Sequence, residues 1–368
     1  MDPAMDPSEL RPIAIALAAS AALPHPAACR LAAEAARWAR RDRLPAPGPE
    51  LGVPSAALAA ALALAADAER IAAEVEQRAE RHGARIVTLG EPAYPSAFGA
   101  LDLPPPALWI AGKIPTRPAV AIVGARKASR YGLEAAAWLG RGAAESGALV
   151  VSGFAIGVDA AAHDGALAAD DGATVAVLGC GLDIDYPRGH RELGRRIRSA
   201  GALVSEFPIG QEPRPWQFPV RNRLIAALAR AVVVVEAAPK SGSLVTARLA
   251  LDLGRELLAV PGRVTDELAV GPNLLIADGA TPALSAADLA HAVGLEVRAL
   301  TPLERDAPRG LAGDALALWR AAVDDAALPE TLAVRTGLSI ERALARLLEL
   351  EIAGHLRRAP DGRYAPPG

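Results

Sequence analysis

Aromatic side chains are scarce in this 368-residue chain; Phe, Tyr and Trp together make up 4%. A ring beside a functional motif therefore stands out. Cysteine is scarcer still. The two present, Cys29 and Cys180, exclude a disulfide scaffold and a four-cysteine zinc site, and they suit a reducing compartment. A surplus of either charge is also missing. Against 39 Lys plus Arg stand 42 Asp plus Glu, a net charge of −3. That excludes a uniformly basic, histone-like surface, so any nucleic-acid contact must come from a local basic groove. No stretch makes a good membrane span. The least charged N-terminal segment, Pro12 to Cys29, is alanine-dominated, contains Pro24 and Pro26, and follows Asp2, Asp6 and Glu9, where a secretion signal wants cations. The expectation is a soluble cytoplasmic protein with no membrane partner.

What is present argues for a folded, multi-domain protein. Hydrophobic residues reach 52%, with enough Val, Ile and Leu for a real core, and the length suits two or three domains. Residues 1–112 are Ala-rich and helical in pattern, punctuated by prolines at 45–54 and 104–106, and contain no catalytic grouping. Residues 113–297 change character. Short β-branched runs recur at Val120–Val123, Leu149–Val151, Thr174–Leu178, Ala202–Val204, Val232–Val235 and Leu257–Val260, separated by helix-length amphipathic stretches. Continuous apolar strands spaced by helices predict an α/β, doubly wound parallel sheet covered on both faces. A Pro- and Gly-containing linker over 298–313 leads to a tail, 314–368, whose helix, helix-turn-helix and hairpin order is that of a winged helix.

In a doubly wound sheet, ligands collect beyond the carboxyl ends of the strands. The residues that follow each strand here are small, polar or basic. The first strand leads to Gly124, Arg126, Lys127 and Ser129, and the second to Gly153. Further on come Phe218, Arg221, Asn222 and Arg223, then Lys240, Ser241, Gly242, Ser243 and Thr246. Exposed backbone N–H groups at helix starts with cations beside them suit phosphates. One ring, Phe218, beside such an edge suits a single strand of nucleic acid, with charge for phosphates and a face for a base; burial of Phe218 in the core is the alternative. Sharper enzymatic readings fail. Arg126 stands where a dinucleotide fold needs its second glycine, and no G-x-x-x-x-G-K-[ST] occurs. With six histidines, no H-x-x-x-H and no paired Cys/His spacing read from the chain, a metal site is not expected. Asp159 and His163, four apart, could be joined to Ser152 as a nucleophilic triad, but a helix cap and a structural hydrogen bond are the expected roles. Cys180, between two glycines, reads as a small buried residue.

The ordered blocks in this region closely resemble the bacterial DNA-processing protein A family (DprA, or Smf). They are V-G-A-R-K-A-S-R-Y-G from Val123, S-G-F-A-I-G-V-D-A-A-A-H from Ser152, G-L-D-I-D-Y-P from Gly181 and S-E-F-P from Ser205. F-P-V-R-N-R-L-I from Phe218, K-S-G-S-L-V-T-A from Lys240, A-V-P-G from Ala259 and G-P-N-L-L-I-A-D-G-A from Gly271 complete the set. The resemblance implies a non-enzymatic mediator that binds single-stranded DNA in an extended Rossmann pocket, protects incoming DNA and helps load the RecA recombinase in natural transformation. It implies a homodimer, no cofactor, and a strand lined by Arg126, Phe218, Asn222, Arg223, Lys240, Ser241, Ser243 and Thr246. One departure is His190, where many relatives show Asn. The rival from another class is a nucleotide phosphoribohydrolase, which wants a G-G-x-G-x-M-G turn that this chain lacks.

Overall fold

The computed structural model describes residues 7–38, 52–296, 308, 311–324 and 326–365, which fall into two compact units, 1–300 and 301–368. The first begins with four helices, α1 (Pro7–Ala19), α2 (His25–Trp38), α3 (Ser55–Ala66) and α4 (Ala68–Arg81). Alanines at helical spacing let them pack closely: Ala27, Ala28, Ala32, Ala57 and Ala61 share one small core with Leu17 and Leu23.

Composition suggested that the helical region extends to residue 112, but the sheet takes in its last part. Strands β1 (Arg85–Thr88) and β2 (Ala107–Gly112) pair antiparallel, and β2 pairs antiparallel with β6 (Ala202–Ser205). Trp109 on β2 is fully buried and shares a core with Ile15, Ala72 and Ala79, which seals α1 and α4 onto the sheet edge. The remaining strands are β3 (Ala119–Val123), β4 (Leu149–Ser152), β5 (Thr174–Leu178), β7 (Ala231–Val234), β8 (Glu256–Ala259) and β9 (Thr281–Pro282). The order is β1-β2-β6-β5-β4-β3-β7-β8-β9, parallel from β6 through β9.

The crossovers are α5 (Arg130–Glu145), α6 (Val158–Leu167), α7 (Arg191–Ala200), α8 (Gln217–Leu228) and α9 (Gly242–Asp252), with α10 (Val270–Ala277) and α11 (Ala286–Ala292) closing the unit. Strand alternation divides the core between the two faces. Val120 and Ile122 pack with Leu139 of α5, Ala162 of α6 and Leu289 of α11. Ala121 and Val123 pack with Leu224 of α8 and Ala247 of α9. Both faces are apolar, so the runs read as continuous rather than alternating. Each fully buried Val, Ile or Leu contributes about 1.5–3 kcal/mol, which makes the central strands the stable base of any site above them.

The second unit contains α12 (Gly313–Asp324), α13 (Pro329–Thr336), α14 (Ile340–Ile352) and the hairpin β10 (Arg357–Arg358) with β11 (Tyr364–Ala365). Gly337 at φ +68° makes the turn between α13 and α14, and Ser339 Oγ accepts the Arg342 N–H to cap α14. Leu318, Trp319, Leu332, Leu347 and Tyr364 form its own core. The linker expected over 298–313 lies largely outside the described residues.

Candidate nucleic-acid interface

The chain winds outward from β3 through β4, β5 and β6, then returns to place β7 on the other side of β3. Adjacent crossovers therefore diverge between β3 and β7, and a crevice opens beyond the carboxyl ends of these strands. A groove of about 700 Å³ fills it. The turn after β3 supplies Gly124, Arg126 and Lys127; the start of α8 supplies Phe218 and Asn222; the start of α9 supplies Lys240 through Ser243, with Thr246 one turn on.

The local geometry follows from the sequence. Ser241 caps α9, its Oγ accepting the Ser243 N–H at 3.3 Å and lying 2.6 Å from Ser243 Oγ. The positive end of that helix thus opens on the groove, with the exposed Lys240 beside it. Across the groove, Gly157 has φ +84° and lies so close to the β3 turn that a Cβ there would stand 2.4 Å from Ala125 O and 2.5 Å from Arg126 O. The Val158 N–H donates to Ala125 O at 3.2 Å, which ties the two turns together. Arg126 is exposed and its guanidinium carbon lies 5.0 Å from the centre of the Phe218 ring. Phe218 is half-buried, outside every core cluster among the described residues, and its ring centre is 5.4 Å from that of Tyr186. Of the two readings of Phe218, the groove wall is the one its position fits.

Eleven of the fourteen sequence-predicted residues line this groove, but not all in the same way. Arg221 is 4% exposed; it donates to Gly153 O at 2.5 Å and also to Val177 O, which makes it a strut beneath the floor. Burial lowers its pKa to about 10, partly offset by Asp159, so it stays charged at neutral pH. Asp159 accepts the Gly153 N–H at 3.1 Å and the Ala155 N–H at 3.3 Å. It closes the turn after β4 instead of capping α6, whose cap position Gly157 holds. Gly153 lies wedged between Arg221 and Asp159 behind the groove. Ser129 caps α5 and bonds to the buried Glu236, just after β7, through its N–H at 2.8 Å and its hydroxyl. Arg223 turns away to pair with Glu206. These three, with Arg221, hold the site together rather than face a ligand.

The triad reading is overturned. Ser152 Oγ is buried and donates to Ile122 O at 2.6 Å, while His163 bonds Thr174 Oγ1 at 2.7 Å, as the structural role requires. Cys180 is buried, and burial raises its thiol pKa to about 12, which removes it as a nucleophile. Tyr186 was missed as a lining residue; its scarcity as a ring and its place directly after the third strand loop were the available signals.

A doubly wound sheet with a basic, ring-bearing groove at its switch point, followed by a winged helix, defines a Rossmann-type class suited to a phosphate chain. Residues 85–294 match the family described as DNA recombination-mediator protein A, and residues 301–362 match the DprA winged helix domain. The chain belongs to this family. It is 40% identical over 307 residues to the putative DNA processing protein DprA of Mycobacterium tuberculosis, covering 77% of each chain. It is 35% identical over 287 residues to Protein Smf of Escherichia coli, covering 73% of this chain and 74% of that one. The solved structure of DprA from Streptococcus pneumoniae superposes with a TM-score of 0.61 at 26% identity, covering 81% of this chain and 99% of that one. DNA processing protein A from Helicobacter pylori, whose structure was described for its single-stranded DNA binding mode, gives a TM-score of 0.50 at 32% identity over 56% of this chain and 95% of that one.

Proposed function

We propose that this protein binds single-stranded DNA along the groove between the β3 turn and α9, as a recombination mediator that shields the strand and passes it to the RecA recombinase during uptake of DNA into the cytoplasm. The observation that carries this reading is the placement of Arg126 over Phe218, with Lys127 and Lys240 exposed on the same groove. Cations along a channel hold phosphates without reading sequence, and a ring offers every base a face. The DNA-binding mode described for the Helicobacter pylori relative supports the same choice of ligand. A homodimer is the working unit we infer, with Leu251 of α9, Leu274 of α10 and Leu284 after β9 each exposed and free to meet a second copy. The groove's cations, hydroxyls and helix-start N–H groups suit the holding of phosphates, and we infer a binding role.

Titration of a labelled oligonucleotide at several salt concentrations tests this. Affinity is expected to fall with salt at roughly −0.7 per neutralised phosphate on a log–log plot. Arg126→Ala and Lys240→Ala should each weaken binding to all sequences alike and flatten that slope. Wild-type affinity in a folded Arg126→Ala/Lys240→Ala protein would place the strand elsewhere. Release of free base from nucleoside monophosphates would favour the phosphoribohydrolase reading instead.

A further inference from the structure

Away from the groove, a largely buried cluster joins the N-terminal helices to the end of the sheet. His25 opens α2 and Cys29 stands one turn later, so both side chains leave the same helix face. Directly after β6, the side chain of Glu206 is completely withdrawn from solvent. His25 Nε2 comes within 2.9 Å of Glu206 Oε2 without the alignment that a hydrogen bond needs, and Cys29 Sγ lies 3.9 Å from His25 Nδ1. Glu206 Oε1 is buried with no hydrogen-bond partner, although its other oxygen is paired with Arg223. One ligand atom each from His25, Cys29 and Glu206 lies within 4.8 Å of the other two.

Nitrogen, thiolate sulfur and carboxylate oxygen at such spacing are the donors that borderline transition ions take, whereas calcium and magnesium take oxygen alone. Binding would release the Cys29 thiol proton to solvent and set a dication against the buried Glu206 carboxylate, whose Oε1 has no partner. Arg223 then has the role of an outer partner that orients the Glu206 carboxylate.

We propose that His25, Cys29 and Glu206 form a site for a divalent transition-metal ion of the Zn2+ type, which pins α2 to the carboxyl end of β6. The site is separate from the DNA groove, and its existence does not depend on what the groove binds. The expectation of no paired Cys/His spacing passed over His25 and Cys29, four apart, whose third donor is far away in the chain and is brought near only by the fold.

Co2+ is the probe, added to full-length protein freed of metal with a chelator. The expected result is saturation at one ion per chain, with a near-ultraviolet thiolate-to-Co2+ band and the intense visible bands of a tetrahedral ion, all abolished by Zn2+. Cys29→Ser should lose the near-ultraviolet band and bind at least about tenfold more weakly, while Cys180→Ser keeps both. Zn2+ should raise the melting temperature of the wild type but not that of Cys29→Ser. Should Cys29→Ser fail to fold, His25→Gln provides the same comparison through its visible bands. Absence of a thiolate band in the wild type, or its survival in Cys29→Ser, would overturn the site.

Discussion

Only three of the 39 cationic side chains are lysines, and two of them, Lys127 and Lys240, stand exposed on the groove. The arginines divide by what they touch. Arg126 faces the groove over a ring, whereas Arg221 is locked to two backbone carbonyls and faces Asp159. Substitutions should separate these roles. Phe218→Ala is expected to cost about 1–3 kcal/mol of oligonucleotide binding with little change in melting, because the ring lies outside the core. Arg221→Ala should instead cost about 3–5 kcal/mol of folding stability, since it leaves the buried Asp159 without its cation. Melting and DNA titration of both variants check the assignment, and a stable Arg221→Ala that binds weakly would return Arg221 to the groove wall. Sequence spacing brought both residues to one helix start and could go no further. Whether a side chain at the start of α8 points out, as Phe218 and Asn222 do, or under the floor, as Arg221 does, depends on how α8 is rotated against β5, which no local pattern encodes.

At the scale of elements, the parallel strands were legible because burial on both faces leaves an unbroken β-branched run, as in Val120–Val123. Strand β2 was not, since A-L-W-I-A-G resembles a helical fragment as readily as a strand, and its partner β1 is only four residues long. Strand β9, two residues ending in Pro282, carries almost no signal. The contact between α6 and β5 carries a pH dependence. His163 is fully buried, and burial, with the nearby charges of His190 and Arg221, lowers its pKa from 6.5 to about 3. The unfolded chain therefore binds a proton in a range where the folded one does not, so stability contributed by neutral His163 is present above 6.5 and is lost as pH falls toward 3. Denaturant midpoints across that window should fall less steeply in His163→Gln, which keeps a partner for Thr174. An equally steep fall in the variant would assign the acid sensitivity to other groups.

The whole molecule carries a winged helix whose DNA-reading helix is poorly suited to a phosphate backbone. From Pro302 onward there are nine arginines, no lysines and ten acids. On α14 the cations are occupied locally: Arg342 pairs with Asp314 at 2.5 Å and Arg346 with Glu349 at 2.5 Å. Leu344, Leu348 and Ile352, four residues apart, leave an exposed apolar stripe along the same helix. A helix gripping a duplex normally presents cations to it, and here the field nearly cancels. Arg357, Arg358 and Arg363 in the hairpin are too few to carry a strand alone. The unit has its own apolar core, so the remainder of the chain need not unfold when it is removed. Cutting the chain at Pro302 is therefore expected to leave single-strand affinity within about threefold, well under 1.4 kcal/mol. Melting of the truncated protein confirms that it is folded before the titration is interpreted. A loss of about tenfold or more in such a cooperatively melting protein would mean that the tail holds DNA alongside the groove.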